Sequence, residues 1–488
     1  MTEVLVPIVI GIFVLYAATL FGLSRGRSCD RNVSPDDLFF VFVVPCLNEE
    51  KVIARTLERL RALPGDNHAV LIVDDGSDDS THSIVETFSG EKVWLLRRSL
   101  PDARLGKGRA LNAGLRYLRD VPAVRDRNND DVILCIVDAD GRLEVDVLGK
   151  VAPHFADPRT GAVQVGVRMT NAKASLLTRL QDLEFAIFTQ IFQTARRLIG
   201  SVGLGGNGQF TRLSALESLG DEPWSDSLTE DLDLGLRLLT RGWRNDFCGE
   251  TYVRQQAVTG IGRLARQRTR WFHGHMQSWK RIPDILKSQL AIKTTADLIF
   301  YLTSPVLVLI LSPMIFLFYV TLVAFLIASP GNAIAMLSER GLEVPLLVYV
   351  LSFGAAPLYG IAYWRENPRY GLWRSLAIAH LFNVYTYVWT AAAWTFLYRL
   401  VTRRRAWTKT ARSSDEAGAG VKTSPESSPH DESPSYFERL VAAGVPPGMA
   451  SRMTVLMWTT VSEIYFASWD LVKESITTSE NRTSASSV

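Results

Sequence analysis

Cysteine is scarce: four among 488 residues (Cys29, Cys46, Cys135 and Cys248), with no CxxC pair and no metal-ligand spacing. That excludes a disulfide framework and a zinc-ribbon type of domain, and suits reduced thiols facing a cytosolic compartment. Charge of one sign is lacking too. The 53 Lys and Arg are offset by 50 Asp and Glu, a net charge of +3, so no nucleic-acid partner is expected. The G-x-x-x-x-G-K-[ST] spacing of a P-loop is missing, and no internal repeat is present.

Long apolar runs are there. Residues 4–23 are uncharged and long enough for the ~30 Å hydrocarbon core of a bilayer, and they start after Glu3 rather than a basic segment. They read as a retained anchor (residues 1–30), with Arg25, Arg27 and Arg31 placing the next part of the chain in the cytoplasm. Residues 298–328, 344–363 and 376–400 extend the pattern, giving transmembrane helices over 296–400 and a multi-pass protein of the cell membrane. The basic stretch RRRAWTKTAR after the last run requires an even number of crossings, so the first run, with Pro305 and Pro313, is expected to split into a hairpin; the alternative is that the last run, with Arg374, His380 and Asn383, is partly interfacial and crosses nothing. A basic then disordered linker (401–435) and a helical tail (436–488) come last.

Between the anchor and these runs, residues 39–255 alternate short β-rich runs with helical ones, as in FFVFVVPCLNEE and AVLIVDDGSDD, which implies a mostly parallel sheet covered by helices. Ligands bind such sheets beyond the carboxyl ends of the strands, where Asp74 and Asp75, and Asp138 and Asp140, fall. Residues 256–295 then carry eight Lys and Arg against one acid, Asp284, with Trp271, Phe272 and Trp279 interleaved, a pattern suited to helices on a membrane surface.

Several short patterns fit chemistry. Asp138 and Asp140, one residue apart, can share a hard divalent cation with substrate phosphates. Asp74 and Asp75 can make a turn or accept hydrogen bonds from a base and ribose. LGKGRALNAG places Lys107 and Arg109 where a diphosphate could be neutralised. In DSLTEDLDLGLRL, Ser227 and Glu230 have capping-box spacing, and acids in a first helical turn gain ~0.3–1 kcal/mol from the macrodipole. A helix-start reading and a chemical one both remain open there.

Taken in order, PCLNEE, VDDGSDDST, GKGRALNAG, DAD, GGNGQFTR, LTEDLDLGLRLLTRGW and QRTRW resemble the motif set of the inverting family 2 glycosyltransferases. The narrower resemblance is to the membrane-embedded processive branch of cellulose, hyaluronan and poly-N-acetylglucosamine synthases. It implies an α/β GT-A (Rossmann-like) cytoplasmic domain inserted between transmembrane α-helices. The donor would be a nucleotide sugar, commonly UDP-linked, the cofactor Mg2+ or Mn2+, and the acceptor a growing glycan or, as the alternative, a lipid. On this resemblance Glu49, Asp74, Asp75, Lys107 and Asp138 contact the nucleotide sugar and Asp140 the metal. Glu230 and Asp231 are catalytic, with Asp231 the general base, while Gln267, Arg270 and Trp271 hold the diphosphate and acceptor. His273 and His275 depart from the pattern and are expected at the interface or along the acceptor path.

Overall fold

The computed structural model describes residues 2–24 and 33–402. Arg25, Arg27, Arg31 and Cys29, and all but the first two residues of the expected linker (401–435) and tail (436–488), lie outside the described residues.

One sheet of eight strands organises the α/β part, in the order β3-β2-β1-β4-β7-β6-β8-β5. The strands are β1 (Phe39–Cys46), β2 (His68–Asp74), β3 (Val93–Arg97), β4 (Val132–Ile136), β5 (Arg142–Leu143), β6 (Thr160–Met169), β7 (Gln209–Arg212) and β8 (Arg244–Gln255). Strand β1 pairs in parallel with β2 and β4, and β2 with β3. Its side chains serve two cores by simple alternation. Phe40, Phe42 and Val44 pack with Ile53 and Leu57 on one face, while Phe39, Val41 and Val43 pack with Leu111 and Leu115 on the other. A strand buried on both faces reads as the continuous apolar run seen in the sequence.

The expectation of a mostly parallel sheet holds, since β6 and β8 also pair in parallel, with β7 and β5 as the two antiparallel strands. β7 runs antiparallel to both β4 and β6, and β5 is antiparallel to β8. The chain leaves β6 into a long helical excursion through Leu176–Ala186 and Thr194–Ile199, and re-enters the sheet from the opposite end. β7 is four residues long behind a glycine turn, too short to show alternation.

The expected hairpin within residues 298–328 is not formed. Ile292–Ala328 is one helix of 37 residues that runs through both prolines. Each proline lacks the N–H that would bond the carbonyl four residues earlier, and side chains take those carbonyls instead. Tyr301 O, orphaned by Pro305, lies 3.2 Å from His275 Nε2, and the adjacent Leu302 O accepts from Trp279 Nε1 at 2.7 Å. Leu309 O, orphaned by Pro313, accepts from Ser312 Oγ at 3.3 Å.

Within this helix, Leu309–Ala328 is long and apolar enough to cross a membrane. The second and third apolar runs are each broken, into Glu343–Phe353 and Ala356–Glu366, and into Leu372–Tyr385 and Tyr387–Val401. Among the described residues no other helix meets that length and composition, and Gly11–Leu23, within the N-terminal helix, is a shorter apolar stretch. Leu20 of the N-terminal helix (Thr2–Leu23) packs with Leu183 and Ile191 and with Tyr363 and Phe382 of the later helices.

Candidate active site

The carboxyl ends of β1, β2 and β4 lie side by side, so the residues after each strand share one edge. Glu49, 5% exposed, follows β1, and its N–H donates to Thr81 Oγ1 at 2.7 Å. After β2, Asp74 is fully buried and accepts the Ser77 N–H at 2.9 Å, which fixes the turn. Asp75 is ion-paired with Arg98, a partner that the sequence patterns did not single out. Burial raises the Asp75 carboxyl above the usual range, against the pull of that guanidinium. Gly76, Ser77, Arg97, Arg98 and Arg104 line a cavity of about 400 Å³ beside it.

Lys107 opens the helix Lys107–Asp120 and is the hub of the site. Its Nζ donates to Asp138 Oδ1 at 2.8 Å and to Gly206 O at 3.3 Å, and lies 3.7 Å from Glu230 Oε1. Burial alone would lower the Lys107 pKa; the Asp138 and Glu230 carboxylates outweigh it and raise the pKa above the ordinary lysine value. Arg109, two residues on, points elsewhere: it forms a two-pronged pair with Asp226 at 2.9 and 2.8 Å, so no diphosphate role is visible for it.

The four acids of the 226–238 segment have three fates. Asp226 pairs with Arg109, and Asp233, fully buried, pairs with Arg281 at 2.8 and 3.1 Å. Glu230 and Asp231 begin the helix Glu230–Thr240 and face Lys107. Burial and the adjacent Glu230 raise the Asp231 pKa to about 7, with Lys107 pulling the other way. Gly206 makes room for it: φ is +69°, and a Cβ there would sit 2.6 Å from Asp231 Oδ2. The expected Ser227 capping box is absent. Thr229 is the N-cap, without a side-chain cap bond, and Ser227 Oγ donates instead to Gln277 Oε1 at 3.3 Å.

Asp138 and Asp140 lie in the turn after β4, with the Asp138 N–H donating to Asn207 Oδ1 at 3.2 Å. Asp140, 6% exposed, accepts the Gln256 N–H at 3.4 Å and shares a cavity of about 10 Å³ with Arg55, Arg59 and Arg142. No group of three or more His, Cys, Asp and Glu able to hold an ion by itself exists among the described residues. Two hard carboxylates one residue apart fit a divalent cation whose remaining ligands are substrate phosphates and water, not a preformed cage.

QRTRW lies on the helix Ile261–Gln277. Gln267 Oε1 accepts from Arg268 at 2.7 Å. Arg268, absent from the expected set, is fully buried, pairs with Glu184, and lies 4.2 Å from the Trp271 ring. Glu184 also accepts from Tyr385 and Trp389 of the apolar helices, which ties this helix to them. Arg270 has a buried Nε with no hydrogen-bond partner among the described residues, a cation suited to an incoming anion. The helix touches the site through Gly274, where a Cβ would lie 2.7 Å from Thr229 N.

Residues 35–274 match the family described as Glycosyltransferase like family 2. They form a family 2 glycosyltransferase domain. A beta-monoglucosyldiacylglycerol synthase of Nostoc sp. is 33% identical to the chain over 305 residues, 60% of this chain and 62% of that protein. A poly-beta-1,6-N-acetyl-D-glucosamine synthase of Staphylococcus aureus is 26% identical over 276 residues, 55% of this chain and 63% of that protein. The chain thus spans less than two thirds of the length of these relatives. Among solved structures, the mannosyltransferase PcManGT from Pyrobaculum calidifontis, in complex with GDP-Man and Mn2+, aligns with a TM-score of 0.50 at 18% identity, over 80% of this chain and 98% of that one. This likeness supports a GT-A type α/β fold for the glycosyltransferase domain, with the mixed sheet described above.

Proposed function

We propose that the chain is a membrane-associated inverting glycosyltransferase that moves a sugar from a nucleotide-sugar donor onto a lipid acceptor at the cytoplasmic face. The observation that carries this is the convergence of Lys107, Asp138, Glu230 and Asp231 beneath the helix bearing Gln267, Arg270 and Trp271. Asp231 accepts the proton of the acceptor hydroxyl as its oxygen attacks the anomeric carbon, and the bond to the diphosphate breaks with its electron pair leaving on the phosphate oxygen. Single displacement inverts the centre. Lys107 and Arg270 stabilise the departing charge. Asp140, with Asp138, would hold a divalent cation, Mg2+ or Mn2+, together with the donor phosphates, and that ion would supply further neutralisation of the diphosphate.

Glu49, Asp74 and Asp75 frame the nucleoside side. The Asp75 carboxylate beside the Arg98 guanidinium offers an acceptor next to donors, which complements an N–H flanked by carbonyls as in uracil, in keeping with a UDP-sugar. Trp271, backed by Arg268, offers a flat face for a sugar or headgroup.

The lipid acceptor is preferred because relatives named as glucosyldiacylglycerol synthases are 33–35% identical to the chain, against 26% for the polymer synthase. The processive reading expected first from the sequence, with export of a β-linked polysaccharide, becomes the second one, supported by the tie between the QRTRW helix and the apolar helices through Glu184. The test is release of nucleoside diphosphate from a panel of UDP- and GDP-sugars by the detergent-purified chain and by Asp231→Asn. Turnover of one donor that the variant loses supports the reading. Silence across the panel, or an Asp231→Asn enzyme as active as wild type, sinks it.

A further inference from the structure

The loop just before Glu230 and Asp231 is held from outside by a residue that no motif singles out. Gln277, the last residue of the helix Ile261–Gln277, uses its side-chain carbonyl twice: Oε1 accepts the Leu228 N–H at 2.9 Å and the Ser227 hydroxyl at 3.3 Å. Those two bonds take the place of the cap that Ser227 would otherwise give its own helix. One turn earlier Gly274 lies against Thr229, and a Cβ at that position would meet Thr229 Cγ2 at 2.6 Å. Just beyond the helix, Arg281 grips Asp233 at 2.8 and 3.1 Å, two residues past Asp231 on the same helix.

Three contacts therefore clamp residues 227–233 to this helix and to the turn Ser278–Arg281 that follows it. Arg270, Gly274 and Gln277 stand at i, i+4 and i+7, a spacing that lines one face of a helix. The face that carries Arg270 is thus also the face that grips the loop leading into Asp231.

We propose that Gln277 is a positioning residue for sugar transfer: it fixes the 227–229 loop so that the Asp231 carboxylate is held in register with the groups on the QRTRW helix. This rests on the glycosyltransferase reading above. Its physical basis is the sensitivity of transfer to geometry, where a ~1 Å misplacement of a reacting group costs about 10²-fold. The Gln277 side-chain carbonyl is engaged by the Leu228 N–H and the Ser227 hydroxyl, so its loss is expected to act on turnover and to leave donor affinity alone.

The experiment compares full-length wild type, Gln277→Met, Gln277→Glu and Gly274→Ala in detergent, with whichever UDP- or GDP-sugar of the panel the wild type turns over and with dispersed diacylglycerol. It reads kcat, donor KM and apparent Tm. Met matches the length of Gln without its acceptor oxygen; Glu keeps an acceptor; the alanine methyl pushes on the same loop from the neighbouring turn. Expected are a fall in kcat of about 10²-fold for Gln277→Met and a clear fall for Gly274→Ala, donor KM within about twofold of wild type, and recovery of most of kcat in Gln277→Glu. Wild-type kcat in both Gln277→Met and Gly274→Ala overturns the proposal, as does equal impairment of the Met and Glu variants or a loss shared by kcat, donor KM and Tm. If Gln277→Met does not fold, the Gly274→Ala and Gln277→Glu pair decides by the same criteria. A wild-type enzyme that neither binds nor turns over any donor fails the glycosyltransferase reading itself and takes this proposal with it.

Discussion

Replacing Asp231 by Asn preserves the shape of the side chain and removes its ability to take a proton. A positioned general base contributes typically ~10²–10⁴-fold, so kcat should fall by that much while donor KM changes little. The charge environment adds a sharper test. Burial and Glu230 raise the Asp231 pKa to about 7, and Lys107 opposes them. The kcat/KM of wild type should therefore rise with pH and level off above about 7, with the value one unit below that limb about tenfold under the plateau. Glu230→Gln removes a repelling charge and should move the limb down; Lys107→Gln removes an attracting one and should move it up, whatever each does to the plateau. Stability carries the same sign. The folded state holds this proton more tightly than the unfolded chain, so the associated stability is present below the ordinary value of 3.8 and is lost as pH rises to about 7. Asn stays neutral, and Asp231→Asn should have the higher apparent Tm above pH 7 by a margin that closes in acid. Stopped assays across pH with donor at low concentration, beside thermal unfolding of the same variants, read both. A limb indifferent to Glu230 and Lys107, or an Asp231→Asn enzyme within tenfold of wild type, refutes the assignment.

Other variants test the supporting structure. Arg281→Met leaves the fully buried Asp233 carboxylate with Lys280 at 3.6 Å as its remaining cation and should destabilise the fold by about 3 kcal/mol in denaturant titrations. Burial opposes ionisation of Asp233, but Arg281 prevails and holds it below the usual range, so this contribution should be present at neutral pH and fade as pH drops below about 4. Trp279→Phe removes one of two side-chain partners of Leu302 O, leaving His275 Nε2 at 3.2 Å, and should cost about 0.5–1.5 kcal/mol, read as a lower apparent Tm. Chelation with EDTA should abolish transfer, and added Mg2+ or Mn2+ should restore it, with the restored activity reduced in Asp140→Asn.

The parts of the fold legible in the sequence are those whose signal is local. β1, β2 and β4 are continuous apolar runs buried on both faces, and a carboxylate or turn marks where β2 and β4 stop. β7 gives no such signal, and its antiparallel insertion depends on how the chain returns from the helices after β6. Glu230, Asp231, Lys107 and Asp138 are legible as chemistry because each stands in a motif. Arg98, Arg268 and Gln277 are not, since their partners lie 23, 84 and 49 residues away and only the folded chain brings them together. Arg109 and Ser227 mislead for the same reason: a distant Asp226 and Gln277 outcompete the local roles that spacing suggests. The prolines of the long helix misdirect as well, because side chains of His275, Trp279 and Ser312 take over carbonyls at and beside the gaps they leave.

The most direct test of the central claim is the mass of the product. Full-length protein in detergent, supplied with the donor it turns over and with dispersed diacylglycerol, should yield a lipid heavier by one sugar residue, with one nucleoside diphosphate released per lipid modified. Neither should appear with Asp231→Asn. A water-soluble ladder of long glycans with the lipid unchanged would contradict a lipid acceptor, and diphosphate release that persists in Asp231→Asn would contradict the assignment of the base.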